Sequence, residues 1–301
     1  MSSTAAHPPS PFRIALAFLA IYVIWGSTYL AIRFAIETIP PFLMAGTRFI
    51  VPGGLLFAWL RFRGTPSPSP IQWRSAAVIG TLLLVAGNGG VTWAEQLVPS
   101  GVTALLISTV PLWIALQDWL WHGAKRPGAA IITGIAIGFV GVLLLIGPAE
   151  LLGGHSLSPI GVVVLTIATI SWSGGSLYSR TAPLPASPLM AVAMEMLCGG
   201  VLLFLLGSIS GEFSRVHLDL LSFRSLTALL YLMTFGSLIG FSAYIWLLRV
   251  VPASRVATYA FVNPVIAVIL GWALAGEELT ARMLIAAAII ISGVVVIIMK
   301  K

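Results

Sequence analysis

The sequence predicts an all-α integral membrane protein with ten transmembrane helices in two inverted five-helix repeats. Three observations predict it. Of the 301 residues, 58% are hydrophobic and only 8% charged, with a mean hydropathy of +1.03; a soluble domain carries about 25% charged residues. Apolar runs of about 20 residues, the length that crosses a bilayer, follow one another along the chain. The same punctuation also closes two stretches: Trp93, Val98-Pro99, Pro111 and Trp246, Val251-Pro252, Pro264. Trp to Pro is six residues in both, and Pro to Pro is twelve.

Residues 1–12 form a Ser-, Ala- and Pro-rich tail, expected to be disordered. The first span, Ile14–Phe34, is too long for the apolar core of a signal peptide. Next come Pro41–Leu60, Trp73–Ala94, interrupted by Gly87-Asn88-Gly89-Gly90, and Gly101–Trp121. Gly128–Gly147 completes the first repeat, over residues 13–147. After a connector at 148–159, the second repeat, 160–301, holds Ile160–Tyr178, Pro188–Ser208, Leu226–Leu248, Arg255–Ala275 and Met283–Met299. Pro40-Pro41, Pro99-Ser100, Arg126-Pro127 and Thr280 fit helix starts, where a missing N–H or a capping hydroxyl costs little.

Span pairs agree in order. Trp25-Gly26-Ser27 resembles Trp172-Ser173-Gly174, and Gly141-Val142-Leu143 resembles Gly293-Val294-Val295. Leu43-Met44-Ala45 with Gly53-Gly54 matches Leu189-Met190-Ala191 with Gly199-Gly200 at a constant offset of 146. Five spans per unit make the second copy enter the membrane from the opposite side, and such duplications carry their site where the copies meet.

The net charge of +7 does not point to nucleic acid, because the basic residues sit singly or in pairs between apolar runs. They act as orientation signals instead: eleven fall on the side of the termini and four on the other, which places both ends in the cytoplasm. The single cysteine, Cys198, excludes an intrachain disulfide. The four histidines lie in connectors or tails, no zinc pattern occurs and no phosphate-binding loop is present, so neither metal, cofactor nor ATP drive is expected.

Trp25-Gly26-Ser27-Thr28-Tyr29, Met44-Ala45-Gly46-Thr47-Arg48-Phe49, Gly87-Asn88-Gly89, Val98-Pro99-Ser100-Gly101 and Tyr259-Ala260-Phe261-Val262-Asn263-Pro264 together resemble the EamA family of the drug/metabolite transporter superfamily. The resemblance covers nearly the whole chain past residue 12. It implies a central cavity and the movement of small metabolites or drugs, usually outward, across a bacterial inner membrane.

Charge inside a span costs about 2.5–3.5 kcal/mol on insertion scales. Arg48 and Glu195 lie about a third of the way into the second and seventh spans, at nearly equivalent repeat positions. Both are candidates to line a cavity. Arg48 would hold an anionic group with its fork of donors; Glu195 would hold an amine or carry a proton. A structural Arg48–Glu195 pair, or Arg48 snorkelling outward, is the alternative. Glu95, Asp118 and Arg33 sit near span ends and fit simple interfacial exposure.

Asn88 offers a donor and an acceptor, and Gly87 and Gly89 around it read either as a substrate-facing hinge or as close helix packing. Pro111 and Pro264 fit kinks. Trp25, Trp93, Trp172 and Tyr259 are candidates to stack on a ligand. Ser27, Tyr178 and Asn263 complete the candidate site with hydrogen-bonding groups. The expected activity is secondary transport of an amino-acid-like or amphipathic solute, with protons as an optional coupling ion and the lipid bilayer as the surrounding partner. The competing classes are an uncoupled carrier, an intramembrane enzyme and a membrane scaffold. The sequence leaves the oligomeric state open.

Overall fold

A computed structural model describes residues 10–98, 103, 106–121, 127–146, 158–275 and 281–299. Most of the N-terminal tail, Pro99-Ser100-Gly101, the Lys125-Arg126 pair, residues 148–157, Thr280 and the last two lysines lie outside the described residues. Ten principal helices are described. They are α1 (Pro11–Ala35), α2 (Pro41–Phe62), α3 (Pro70–Ala94), α4 (Val110–Trp121), α5 (Ala129–Ile146), α6 (Pro159–Thr181), α7 (Pro188–Ile209), α8 (Phe223–Val250), α9 (Tyr259–Ala275) and α10 (Ala281–Met299). Six of them, α1, α2, α3, α6, α7 and α8, are long and apolar enough to cross a membrane.

Local chemistry sets the helix starts. Proline occupies the first turn of α1, α2, α3, α6 and α7, where its missing N–H has no intrahelical partner to lose. Ser158, Ser187 and Ser222 each accept a backbone N–H three residues on, from Gly161, Met190 and Ser225. The start of α2 is capped from afar: the buried Glu212 carboxylate accepts the N–H groups of Phe42 (3.2 Å) and Leu43 (2.9 Å). A negative group there also meets the positive end of the helix dipole.

The outer surface is apolar, with Phe62, Ile209 and Phe223 more than 80% exposed, while Thr92, Ser173, Ser176, Ser237 and Asn263 are buried. That distribution suits hydrocarbon outside and helix-to-helix hydrogen bonds within. Helices α2 and α7 pack along each other, as do α5 and α10. The latter pair meets through glycines: a Cβ on Gly293 would lie 2.8 Å from the Gly134 carbonyl oxygen and from the Gly138 nitrogen. The Gly134-Ile135-Ala136-Ile137-Gly138 stretch therefore serves close packing. Helix α3 lies on α6 and α7, α8 on α1 and α2, α1 on α9, and α4 on α6.

Candidate functional site

The helix ends define two ends of the bundle. The C-terminus of α3 meets the start of α6, where a Cβ on Gly161 would strike Val98. The start of α8 meets the end of α1 through Ser225 Oγ, which donates to the Phe34 carbonyl (2.7 Å). These features mark the Glu95 end. At the opposite Arg249 end, Arg180 Nη1 closing α6 donates to the Val251 carbonyl after α8 (2.8 Å).

A cavity opens in the half toward the Glu95 end. Its walls come from the C-terminal halves of α1 and α3, the N-terminal half of α2, the middle of α6 and α8 and the start of α9. Trp25, Trp172 and Tyr259 line its floor. Fully buried Tyr244, one turn further along α8, packs against all three with ring centroids 5.0, 5.4 and 5.7 Å away. Its hydroxyl accepts from Trp172 Nε1 (2.9 Å) and bonds Ser176 Oγ (2.6 Å).

Two helix stretches make room for these side chains. Thr81–Gly89 in α3 and Leu232–Phe241 in α8 are wound wide, as π-helix. The glycine-rich stretch of α3 is thus a widened turn within a continuous helix. A Cβ on Gly87 would lie 2.7 Å from the Trp172 ring, and one on Gly240 2.5 Å from Trp25 Nε1. Only glycine lets those indoles lie against the helix backbone. Trp25 Nε1 then donates to the Gly236 carbonyl within the widened stretch (3.1 Å).

The polar wall is built around Arg48, which is 3% exposed. Its Nε donates to Ser237 Oγ (3.1 Å), Nη2 lies beside Gly236, and Nη1 has no partner. Asn88 Oδ1 is buried and also lacks one. With the Asn263 amide oriented so that both of its groups are satisfied, its nitrogen donates to the carbonyls of Tyr259 (3.0 Å) and Tyr22 (3.2 Å). An unpaired buried polar group costs about 1–3 kcal/mol, so the free atoms of Arg48 and Asn88 are places where a solute can bind.

Of the residues singled out in the sequence, Arg48, Asn88, Trp25, Trp172, Tyr259, Asn263 and Gly87 come together around this cavity. Others do not. Glu195 is completely buried in α7 and lines no part of it. Ser27 turns to α8, bonding Tyr231 (2.6 Å). Trp93 packs with Ala94, Val98 and Leu165, and Tyr178 packs at the edge of the main core. A Cβ on Gly89 would strike Leu203, so this glycine serves packing against α7. Pro264 lies inside α9, whereas Pro111 is the second residue of α4, after a turn at Ser108 and Thr109. Thr28, which the sequence offers as a hydrogen-bonding group, lies at the cavity wall, as do Tyr29 and Thr169, which the sequence does not single out as site residues. Tyr29 follows Trp25 by one helical turn and was legible as its neighbour.

The sequence matches the EamA-like transporter family twice, over residues 12–147 and 159–299. This chain belongs to the EamA family. Its relatives include "Uncharacterized inner membrane transporter YedA" of Escherichia coli (strain K12), 42% identical over 289 residues, covering 95% of this chain and 90% of the relative. "Uncharacterized transporter YvbV" of Bacillus subtilis (strain 168) is 26% identical, covering 95% and 91%. A chain of known crystal structure shares the fold at a TM-score of 0.75 and 21% identity, covering 95% of this chain and 96% of its own length. EamA proteins form a transporter family, not an enzyme family, and no cluster of metal-ligating side chains occurs among the described residues.

Proposed function

We propose that this chain is a secondary transporter of a bacterial inner membrane that exports small metabolites or drugs by alternating access. The carrying observation is the one-sided cavity: free polar atoms on its walls, aromatic rings on its floor and packed side chains beyond. The Arg249 end is held shut by Tyr22 and Thr258, whose hydroxyls are 2.7 Å apart, and by the Arg180 contact with Val251. The inner-membrane setting is that of YedA, and the outward direction follows from the family resemblance.

The ten spans form two inverted repeats in this reading. The packing supports it, because its principal contacts have counterparts: α3 on α6 and α7 answers α8 on α1 and α2, and α1 on α9 answers α6 on α4. The self-paired contacts, α2 with α7 and α5 with α10, then lie across the axis relating the halves. Cytoplasmic termini make the Glu95 end periplasmic, so the cavity belongs to an outward-facing state.

Glu195 carries the coupling proton. Both its oxygens are buried without a hydrogen-bond partner, Arg249 of α8 is the opposite charge acting on it, and Cys198 lies one turn along its own helix. A bare carboxylate so placed costs several kcal/mol, and either a proton or closure onto Arg249 removes that cost.

The test begins with cells that contain or lack the protein, compared for the small metabolites they retain. The best candidate is then carried into flux measurements in liposomes. Flux driven by a pH gradient is expected, and Glu195→Gln abolishes it while leaving membrane insertion intact. Absence of flux for every candidate overturns the transport reading. Unchanged gradient-driven flux in E195Q removes the proton role and leaves an uncoupled carrier.

A further inference from the structure

The bundle is latched at one end only. At the Arg249 end, Arg180 Nη1 in the last turn of α6 donates to the Val251 carbonyl just after α8 (2.8 Å). The sequence carries the parts of this contact a second time. Trp172 follows Trp25 by 147 residues, and Arg180 follows Arg33 by the same 147. Val251-Pro252 follows Val98-Pro99 by 153 residues, as Trp246 follows Trp93. Arg33 is accordingly the basic residue in the last turn of α1, and Val98 comes just after α3. Both stand at the Glu95 end.

At that end the parts are present but not joined. Arg33 is exposed and makes no hydrogen bond or ion pair among the described residues. The cavity opens beside it: Ile32, next to Arg33 on α1, and Val91, one turn before Glu95 on α3, both line the wall. The packing has the same asymmetry. The last stretch of α8, Ser242–Val250, packs on α1 and also on α6, the helix that carries Arg180. The last stretch of α3, Gly90–Ala94, packs on α6 and α2, and no comparable packing on α1 occurs among the described residues. An unanswered carboxylate stands there too. Oε1 of Glu95, three residues before Val98, is buried with no hydrogen-bond partner, and Arg33 is the foremost positive charge acting on it.

We infer that Arg33 is the latch of the Glu95 end: when that end shuts, its guanidinium donates to the Val98 carbonyl, as Arg180 now does to Val251. The end of α3 then packs on α1, the cavity mouth closes, and Glu95 gains a charged neighbour. Arginine suits both places. The last carbonyls of a helix have no intrahelical partner, and a cation there also meets the negative end of the helix dipole. A bond made in one state only shifts the balance between the two states by its own worth, so the two latches pull in opposite directions. The latch rests on the transport reading above and names a residue that sets the balance between its two states.

The test uses the full-length protein with two reporter cysteines, placed one at a time in a Cys198→Ser background. Thr169→Cys lies in the cavity and reports opening at the Glu95 end; Val256→Cys lies beside the seal and reports opening at the Arg249 end. In Arg33→Met, the Val256 site is expected to react with a maleimide about tenfold more slowly, as for the loss of one charged hydrogen bond, with no slowing at Thr169. Arg180→Met does the reverse, with about tenfold faster reaction at Val256 and slower reaction at Thr169. Arg33→Lys keeps the charge and a donor, and restores most of the native rate at Val256.

A native rate at Val256 in Arg33→Met overturns the latch, and so does faster reaction at both sites, which marks loosened packing. Spin labels on Glu37→Cys and Gln96→Cys, both exposed at the ends of α1 and α3, decide the matter even where Arg33→Met fails to fold. A second, shorter distance between them is expected to gain weight in Arg180→Met, as α3 meets α1. A single distance unchanged from the native one overturns the latch. Solute flux in liposomes that is indifferent to Arg33, with both ends opening in turn, sinks the latch and leaves the transport reading standing. Absence of flux for every solute sinks the transport reading itself.

Discussion

The Arg48–Glu95 region and the Glu195–Arg249 region are built alike with their charges exchanged. In the first, the carboxylate at the end of α3 has Arg33 and, on α2, Arg48 as the positive charges that act on it. In the second, a carboxylate on α7 is coupled to an arginine near the end of α8. In the proposed repeat, helices α7 and α8 are the counterparts of α2 and α3. The surroundings differ: Arg48 borders a cavity, whereas Glu195 is sunk in packed helices, fully buried. Neither pair is closed by a hydrogen bond, and Arg48 Nη1, Glu95 Oε1, both Glu195 oxygens and Arg249 Nη2 are unused. Buried unpaired charge is costly, so packing alone gives no reason for either pair. The alternation proposed above gives one: one station would be open while its counterpart is shut.

The sharpest way to break the comparison is to ask whether the Glu195 region is packed backbone to backbone. A Cβ on Gly80 would lie 2.6 Å from the Glu195 carbonyl oxygen and 2.8 Å from the Gly199 nitrogen. Neither backbone atom can swing away. Gly80→Val is therefore expected to cost about 3 kcal/mol or more, read as loss of monodisperse protein or a large fall in melting temperature. The partner substitution in the open region is Gly236→Ala. Its Cβ meets the end of the Arg48 side chain at 2.9 Å, and that end can move. The fold should survive, while displacement of Arg48 from Ser237 weakens solute binding about tenfold. Equal damage to folding by both variants would show that the two regions are packed alike.

A smaller effect is expected at the seal of the Arg249 end. Tyr22→Phe deletes the 2.7 Å contact with Thr258 and keeps the ring. One such bond is worth about 1 kcal/mol, so the state open at the Arg249 end should gain about fivefold in population. A cysteine at Val256, which is fully buried beside the seal, reports this in a Cys198→Ser background. Its labelling by a maleimide should rise about fivefold in Tyr22→Phe. An unchanged rate would mean that this contact does not hold the seal.

Much of the fold was legible because its cause is one-dimensional. Apolar runs and Ser or Pro starts placed the second span at Pro41–Leu60 and the helix at Pro41–Phe62, and agreement was similar for α1, α6 and α7. The site was only partly legible because it depends on rotation about each helix axis. In an apolar helix the lipid-facing and interior sides carry similar residues, so depth along the chain stood in for direction. Depth put Glu195 with Arg48, whereas the packing of α7 on α2 and α3 leaves Glu195 between helices. Glu95 was passed over because it ends a span. The phase of α3, visible only once Asn88 and Val91 are seen at the wall, puts it on the helix face that carries them.

The smallest expected effect separates neighbours that the sequence alone cannot. Ser27 and Thr28 adjoin on α1, both hydroxylated and both bonded to their own helix backbone, at Ile24 (2.6 Å) and Trp25 (2.7 Å). Thr28 lines the cavity; Ser27 faces away and bonds Tyr231 of α8. Ser27→Ala should lower stability by about 1 kcal/mol through the lost bond and leave solute affinity unchanged within about twofold. The same measurement on Thr28→Val should move affinity more than melting temperature. If Ser27→Ala instead weakened binding and spared stability, α1 would have to be rotated by about 100° from the orientation seen here. Trp25, two residues before Ser27, would then leave the floor, and the one-sidedness of the cavity would go with it.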